Sequence, residues 1–178
     1  MSKPTKSKVV PLRPAASVPA PPKSPPGPLT QKALQKAKES QLARQAPFRV
    51  KLTENDGKRV IGVPHDDIDG FAYHYRETFG TGSLHFADRQ LSLITTVLGA
   101  GSNEDDMNAA LAFVGGQKPA DEVEAALAVQ MVGTHEASMR LLATALAAKH
   151  IDAAERYVNM ATKMQRTFTA QVEAMKRY

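Results

Sequence analysis

The carboxyl-terminal part of the chain carries its most regular alternation of apolar and polar positions. Apolar residues recur every three or four positions from Asp121 to about Lys149, and the same spacing returns after Asp152 and runs to Tyr178. This period is that of an amphipathic α-helix. Two long helices joined by a short link pack antiparallel. The pattern therefore predicts an antiparallel helical hairpin over residues 120–178, with Asp152 capping its second helix.

The facing stripes of this predicted hairpin combine alanine and methionine with a few polar residues. The second helix keeps the three-and-four spacing that is typical of ridge packing between two helices. Polar residues in such a seam fix the helix register at some cost in stability. We expect His135 to form a hydrogen bond with a neighbour such as Gln171. The predicted interaction seam consists of Gln130, His135, Tyr157, Met164, Phe168, Gln171 and Met175.

Two shorter helices are predicted upstream of the hairpin. One runs from about Phe86 to Leu98, where glycines follow, and the next begins after Asn103, a favourable N-cap residue. Acidic residues fill the first turn of the second of these helices, where they suit the helix dipole. Two helices alone bury only one stripe each, so the hairpin needs these helices or another subunit to cover it.

A different pattern occupies residues 47–83, between the amino-terminal tail and the helical domain at 84–178. Apolar and polar residues alternate on both sides of Asn55-Asp56-Gly57. This arrangement predicts a small β-hairpin between Phe48 and Val63. The stretch from His65 to Ser83 mixes polar and aromatic residues and is predicted as a loop region.

Residues 1–46 are predicted to be a basic, disordered tail that contains one marginal helix. Nine of the twelve prolines fall within residues 1–28, which excludes both a helix and a central strand there. Leu29 to Ala46 has good helix formers with Thr30 as its N-cap, but an isolated helix of this length is marginal in water. The fold class is therefore mainly α, with the small β-hairpin and the Pro-rich tail.

Charge divides the chain into a basic arm and an acidic body. Residues 1–60 carry 13 Lys and Arg against 3 Asp and Glu, whereas residues 61–178 carry 10 against 15. Residues 1–60 are thus expected to contact nucleic acid non-specifically, with a steep salt dependence. A solvated tail, and an arm that binds back to the acidic domain, are the alternatives. The basic arm residues are Lys32, Lys36, Lys38 and Arg44.

Cysteine and membrane signals are absent from the sequence. Without cysteine there are no disulfides or thiolate metal sites, and a reducing compartment is the natural expectation. No apolar run reaches the roughly 20 residues of a membrane span, and the prolines interrupt any signal-peptide core. The chain is therefore expected to be cytoplasmic, with no membrane contact.

Two short motifs resemble metal sites but lack a required ligand. His135-Glu136 begins a zinc-protease helix motif, yet Met139 stands where the second histidine belongs. His65 to Gly70 resembles a calcium loop, but Arg76 occupies the position of its bidentate glutamate. No catalytic, cofactor-binding or metal-binding residue is therefore predicted. The alternative reading is a small enzyme or metal-binding helical protein that uses His135 or the His65–Tyr75 region.

The sequence from Gly116 to Tyr178 resembles a family of uncharacterised proteobacterial proteins that are often found near prophages or other mobile elements. The resemblance is carried by the stretch Pro119 to Met131, by His135, and by the stretch Thr162 to Tyr178. It covers about a third of the chain and implies a helical fold without implying an activity. Together with the charge pattern, it favours a non-catalytic assembly protein. Such a protein forms a homo-oligomer or binds a protein partner, and one concrete version handles phage or mobile-element DNA.

Overall fold

The computed structural model describes residues 27–42, 47–55 and 58–178. These residues form six helices and one two-stranded antiparallel sheet, which confirms the predicted mainly α fold class. The chain divides into two units, residues 1–45 and 46–178. Residues 1–26 of the predicted Pro-rich tail, and Arg44 of the basic arm, lie outside the described residues.

The first unit contains helix α1, Pro28–Leu42. It begins two residues before the predicted cap Thr30, because proline is well tolerated in the first turn, where its missing N–H has no intrahelical partner. Every side chain from Pro28 to Ser40 is exposed, including Lys32, Lys36 and Lys38. The helix therefore presents its positive charges to solvent.

The second unit opens with the predicted β-hairpin, strands β1 Lys51–Asn55 and β2 Lys58–Gly62. Asn55 pairs with Lys58, so two residues connect the strands. A lone hairpin is marginal in water. This one is anchored by side chains of a later helix: the Asn108 amide exchanges two hydrogen bonds with the Val50 backbone (2.9 and 3.1 Å), and Glu104 Oε2 accepts from Leu52 N at 2.9 Å.

Helix α2, Ile68–Thr78, corrects the prediction that residues 65–83 form a loop region. Asp67 caps it by accepting a hydrogen bond from Gly70 N at 2.8 Å. Phe71, Tyr75 and Phe79 follow one another at four-residue steps and so share a helical face. Phe79 is fully buried and Tyr75 nearly so. Helix formation is therefore driven by an aromatic face that the core covers.

Helices α3 (Leu84–Leu98) and α4 (Glu104–Gly116) complete the small bundle against which the hairpin packs. Asn103 caps α4 as predicted, in a reciprocal capping box with Asp106. The core of this unit is one apolar cluster in which Phe79, Ile94, Leu111 and Val114 are fully buried.

The carboxyl-terminal hairpin consists of α5, Glu122–Ala147, and α6, Ile151–Arg177. Three residues link the helices, which therefore run antiparallel. Asp152 was predicted to cap α6, but the link places His150 at the cap position and Asp152 within the first turn.

No helix in the described part of the chain is long and apolar enough to cross a lipid bilayer.

Candidate functional site

The two helices of the hairpin differ strongly in how well they are covered. α5 has seven buried residues, because α3 and α4 pack on one side of it and α6 on another. α6 has 27 residues, and Ala161 is the only fully buried one among them. The outer helix of the hairpin is thus supported almost entirely by α5.

The predicted seam residues lie mostly where α5 and α6 meet. Tyr157, Phe168, Gln171 and Met175 are half-buried, Met164 is 38% exposed, and Gln130 lies on the exposed side of α5. The seam is therefore largely occupied by the intramolecular contact between the two helices. A surface that binds another molecule must lie beside it.

His135 and Phe168 mark the place where the hairpin meets α4. His135 is exposed. The centroid of its imidazole ring lies 5.9 Å from the centroid of the Phe168 ring, and the centroid of the Phe113 ring of α4 lies 6.5 Å from that of Phe168. The expected hydrogen bond between His135 and Gln171 is not formed at the Gln171 carbonyl. That oxygen is buried and accepts no hydrogen bond from the described residues. A buried acceptor without a donor costs about 1–3 kcal/mol.

Four apolar side chains of the hairpin remain exposed between this point and the hairpin tip. Met139 lies one helical turn past His135 on α5, and Met164 and Met160 lie one and two turns before Phe168 on α6. Since the helices are antiparallel, both stripes run in the same direction, towards the hairpin tip. With Leu146, these residues form what we call the open face; their exposed fractions are 50% for Met139, 91% for Leu146, 50% for Met160 and 38% for Met164.

The open face lies nearer the hairpin tip than the Phe113–Phe168 contact between α4 and α6. All four of its side chains are exposed in the described part of the chain. Sequence reasoning placed only Met164 in a site and missed the other three residues. The available signal was the Met160–Met164–Phe168 spacing of four residues, which marks one face of a helix.

A groove of about 600 Å³ lies between α4 and α5 and leads from His135 towards the α3–α4 connection. Its lining is mostly apolar and includes the charged residues Asp106, Glu136 and Arg140. Arg140 closes one end, donating from Nη2 to the Leu98 carbonyl at 2.6 Å and approaching Glu136 Oε2 at 3.7 Å. The groove is lined by Leu98, Gly101, Ser102, Asp106, Ala109, Ala110, Phe113, Val132, His135, Glu136 and Arg140.

Perturbed ionisable groups lie away from this groove and have structural causes. Burial, together with the hydrogen bond from the Tyr75 hydroxyl to Asp88 at 3.0 Å, raises the pKa of Tyr75, so the phenol stays a neutral donor. The Thr81 hydroxyl donates to Glu122 at 2.6 Å and lowers the pKa of that carboxyl. Both bonds join neighbouring elements and serve the fold.

The histidines singled out in the sequence do not gather into a metal centre within residues 27–42, 47–55 and 58–178. No three His, Cys, Asp or Glu side chains in that part of the chain are close enough to hold a metal ion together. His65 packs its ring against the Phe71 edge, and His74 packs against Tyr73. Asp67 of the calcium-like sequence acts as the cap of α2.

Comparison of the chain with protein-family models, with curated proteins and with solved structures finds no match in any of the three. The family resemblance at residues 116–178 therefore stays a prediction.

Proposed function

We propose that this chain is a non-catalytic assembly protein. In this proposal the open face of the hairpin binds the same face of a second copy, and the basic amino-terminal region binds an anionic surface such as DNA. The observation that carries the proposal is the exposure of Met139, Leu146, Met160 and Met164 towards the tip of a helix pair whose outer member has a single buried residue.

The chemistry of the open face favours a helical, apolar partner. Methionine side chains are flexible and polarisable, and they adapt to the surface of an incoming helix. Exposed apolar clusters bordered by polar residues are typical of protein interaction sites. A second copy is favoured because soluble oligomers are mostly homodimers with a two-fold axis, in which one patch meets itself.

The expected affinity follows from the apolar surface available. Burying eight side chains that are roughly half exposed, four from each copy, contributes on the order of 10 kcal/mol before the costs of association. Those costs offset much of this gain. We therefore expect a reversible dimer with a dissociation constant in the micromolar range rather than an obligate one.

The test is a substitution in the middle of the open face. Met160→Glu places a charge where the partner must cover it, and burying an unpaired carboxylate is strongly unfavourable. We expect the dimer dissociation constant to rise at least tenfold, measured by sedimentation equilibrium over a range of concentrations.

Gln165→Glu is the matched control for this experiment. It adds the same charge to the same helix, five residues further on and hence about 140° around the axis from Met160. It is expected to leave the dissociation constant unchanged within about twofold. A wild-type chain that stays monomeric at high concentration would refute the proposed assembly, and equal effects of both substitutions would show that net charge, not the open face, controls it.

The arm is tested separately with DNA. Lys32, Lys36 and Lys38 are exposed on α1, and the resemblance to mobile-element proteins favours DNA as the anionic surface. Three phosphate contacts lower the affinity roughly 40-fold between 50 and 200 mM salt. We expect replacement of all three lysines by glutamine to weaken DNA binding and to reduce this salt dependence, measured by fluorescence anisotropy with a duplex.

The control for the arm removes the same charge from the second unit. Lys118, Lys149 and Lys176 are exposed there, and their joint replacement by glutamine is expected to change DNA affinity little. Comparable losses from both triple variants would assign DNA binding to overall charge. DNA affinity that is absent at low salt in the wild-type chain would remove this half of the proposal.

A further inference from the structure

The solvent side of α6 carries a stripe of charges with an ordered sign. Asp152, Glu155, Asn159, Lys163 and Arg166 follow each other at three- and four-residue steps, so they share one face, and all five are exposed. Asn159 and Lys163 immediately precede Met160 and Met164. The stripe therefore borders the α6 part of the open face.

The charges in this stripe are arranged symmetrically about Asn159. Glu155 and Lys163 each lie four residues from it, and Asp152 and Arg166 each lie seven residues from it, with the acidic member always on the amino-terminal side. None of these four charges forms a salt bridge within the described residues, where the two ion pairs are Glu136–Arg140 and Glu173–Arg177. All four charged side chains are therefore available to a partner.

We propose that the second copy packs antiparallel, with Asn159 of each α6 beside the two-fold axis. This inference rests on the proposed assembly and adds its register. In that register Glu155 of one copy lies opposite Lys163 of the second copy, and Asp152 lies opposite Arg166. A two-fold axis forms each of these pairs twice, so the stripe is complementary to itself. A parallel arrangement would instead bring like charges together along the whole stripe.

The same register places one exposed side chain of the open face at the centre of the interface. Met160 is one residue from the axis, so the two copies of Met160 lie close together at the centre of the interface. Ile151, which begins α6 and is 82% exposed, lies eight residues before Asn159. In the dimer it lies level with Thr167 of the second copy.

Charge exchange between two variants tests this register. Glu155→Lys alone and Lys163→Glu alone each place like charges opposite one another twice in a homodimer. We expect each to raise the dimer dissociation constant at least tenfold at an ionic strength of about 50 mM, where surface charges are weakly screened. An equimolar mixture of the two variants forms both unlike pairs again and is expected to dimerise within about threefold of the wild type.

The mixture is followed by native mass spectrometry with one variant labelled with ¹⁵N, so that the heterodimer is resolved from both homodimers. The double variant, Glu155→Lys with Lys163→Glu, is likewise expected to dimerise as the wild type does. The control mixture pairs Glu155→Lys with Lys176→Glu. The second substitution makes the same charge change as Lys163→Glu, but Lys176 lies outside the stripe. It is expected to give no preference for the heterodimer.

The outcomes separate the register from the assembly on which it depends. Loss of the dimer in Met160→Glu together with normal dimers in both charge variants would overturn the antiparallel register and leave the open face as the interface. A heterodimer preference in the control mixture would also overturn it, because position would then not matter. A monomeric wild-type chain removes the proposed function, and the register with it.

Discussion

Phe79→Ala is expected to lower the free energy of unfolding by about 3–5 kcal/mol, the largest effect of any substitution considered. Phe79 is fully buried where α2 ends, and its ring meets the Tyr75 ring edge-on at a centroid distance of 5.6 Å. Removing the ring loses its transfer free energy and leaves a cavity that the surrounding helices can only partly fill. Urea denaturation at one fixed protein concentration measures the change, because assembly makes stability depend on concentration.

The control for this prediction is in the same helix. Ile68 begins α2 and is 68% exposed, so Ile68→Ala removes an apolar side chain of comparable type without opening a cavity. We expect a change within about 0.5 kcal/mol. If Phe79→Ala were as mild as Ile68→Ala, the aromatic face of α2 would not belong to the core.

The sequence pattern does not predict helix α2, which contains this aromatic face, and the reason is physical. Phe71, Tyr73 and Tyr75 alternate with other residues in a strand-like period of two, while Gly70 and the preceding aspartates resemble a turn. The four-residue step that joins Phe71 to Tyr75 and Phe79 carries the helical signal, but Tyr73, which is 59% exposed, obscures it. Only the packing of neighbouring elements distinguishes the buried aromatic residues from the exposed one.

The helices whose signals are local were predictable. Asn103 and the acidic first turn of α4 are contained within a few residues, and the structure forms the capping box there. The long apolar stripes of α5 and α6 likewise predict the hairpin over residues 120–178. The cap of α6 was placed wrongly, at Asp152, since the local sequence does not show how the chain enters the helix from a three-residue link.

The open face required information that no local pattern contains. Periodicity alone assigns Met164 and Phe168 to a covered seam, whereas Met160, one turn before Met164, is not part of the predicted seam. Which part is covered depends on where α4 lies, and α4 contacts the outer helix at Phe113, beside Phe168. The candidate site thus arises from a mismatch between a long hairpin and a shorter helix that covers one end of it.

Gly80→Ala is expected to lower the free energy of unfolding by roughly 2–4 kcal/mol, through backbone strain and a steric overlap. Gly80 follows α2 with φ +50°, a left-handed conformation that costs an L-residue energy. A Cβ added there would overlap the carbonyl group of Pro119, in the turn between α4 and α5. Because the obstructing atoms belong to the backbone, relief requires one turn to move away from the other, and thermal and urea unfolding both report the loss.

Gly82→Ala supplies the matched control two residues further along the same turn. Nothing lies within 4 Å of a Cβ at that position, and its φ is not in the left-handed region. The substitution is expected to be neutral or to stabilise the fold by up to about 1 kcal/mol, because alanine reduces the conformational freedom of the unfolded chain.

The Thr81 hydroxyl, between the two glycines, donates a hydrogen bond to Glu122 at the start of α5. Displacement of this turn by Gly80→Ala is also expected to break that hydrogen bond. The carboxyl of Glu122 would then lose the cause of its lowered pKa, which a carboxylate titration followed by NMR detects; an unchanged pKa in a destabilised Gly80→Ala variant would show that the turn stays in place and that the strain is relieved elsewhere.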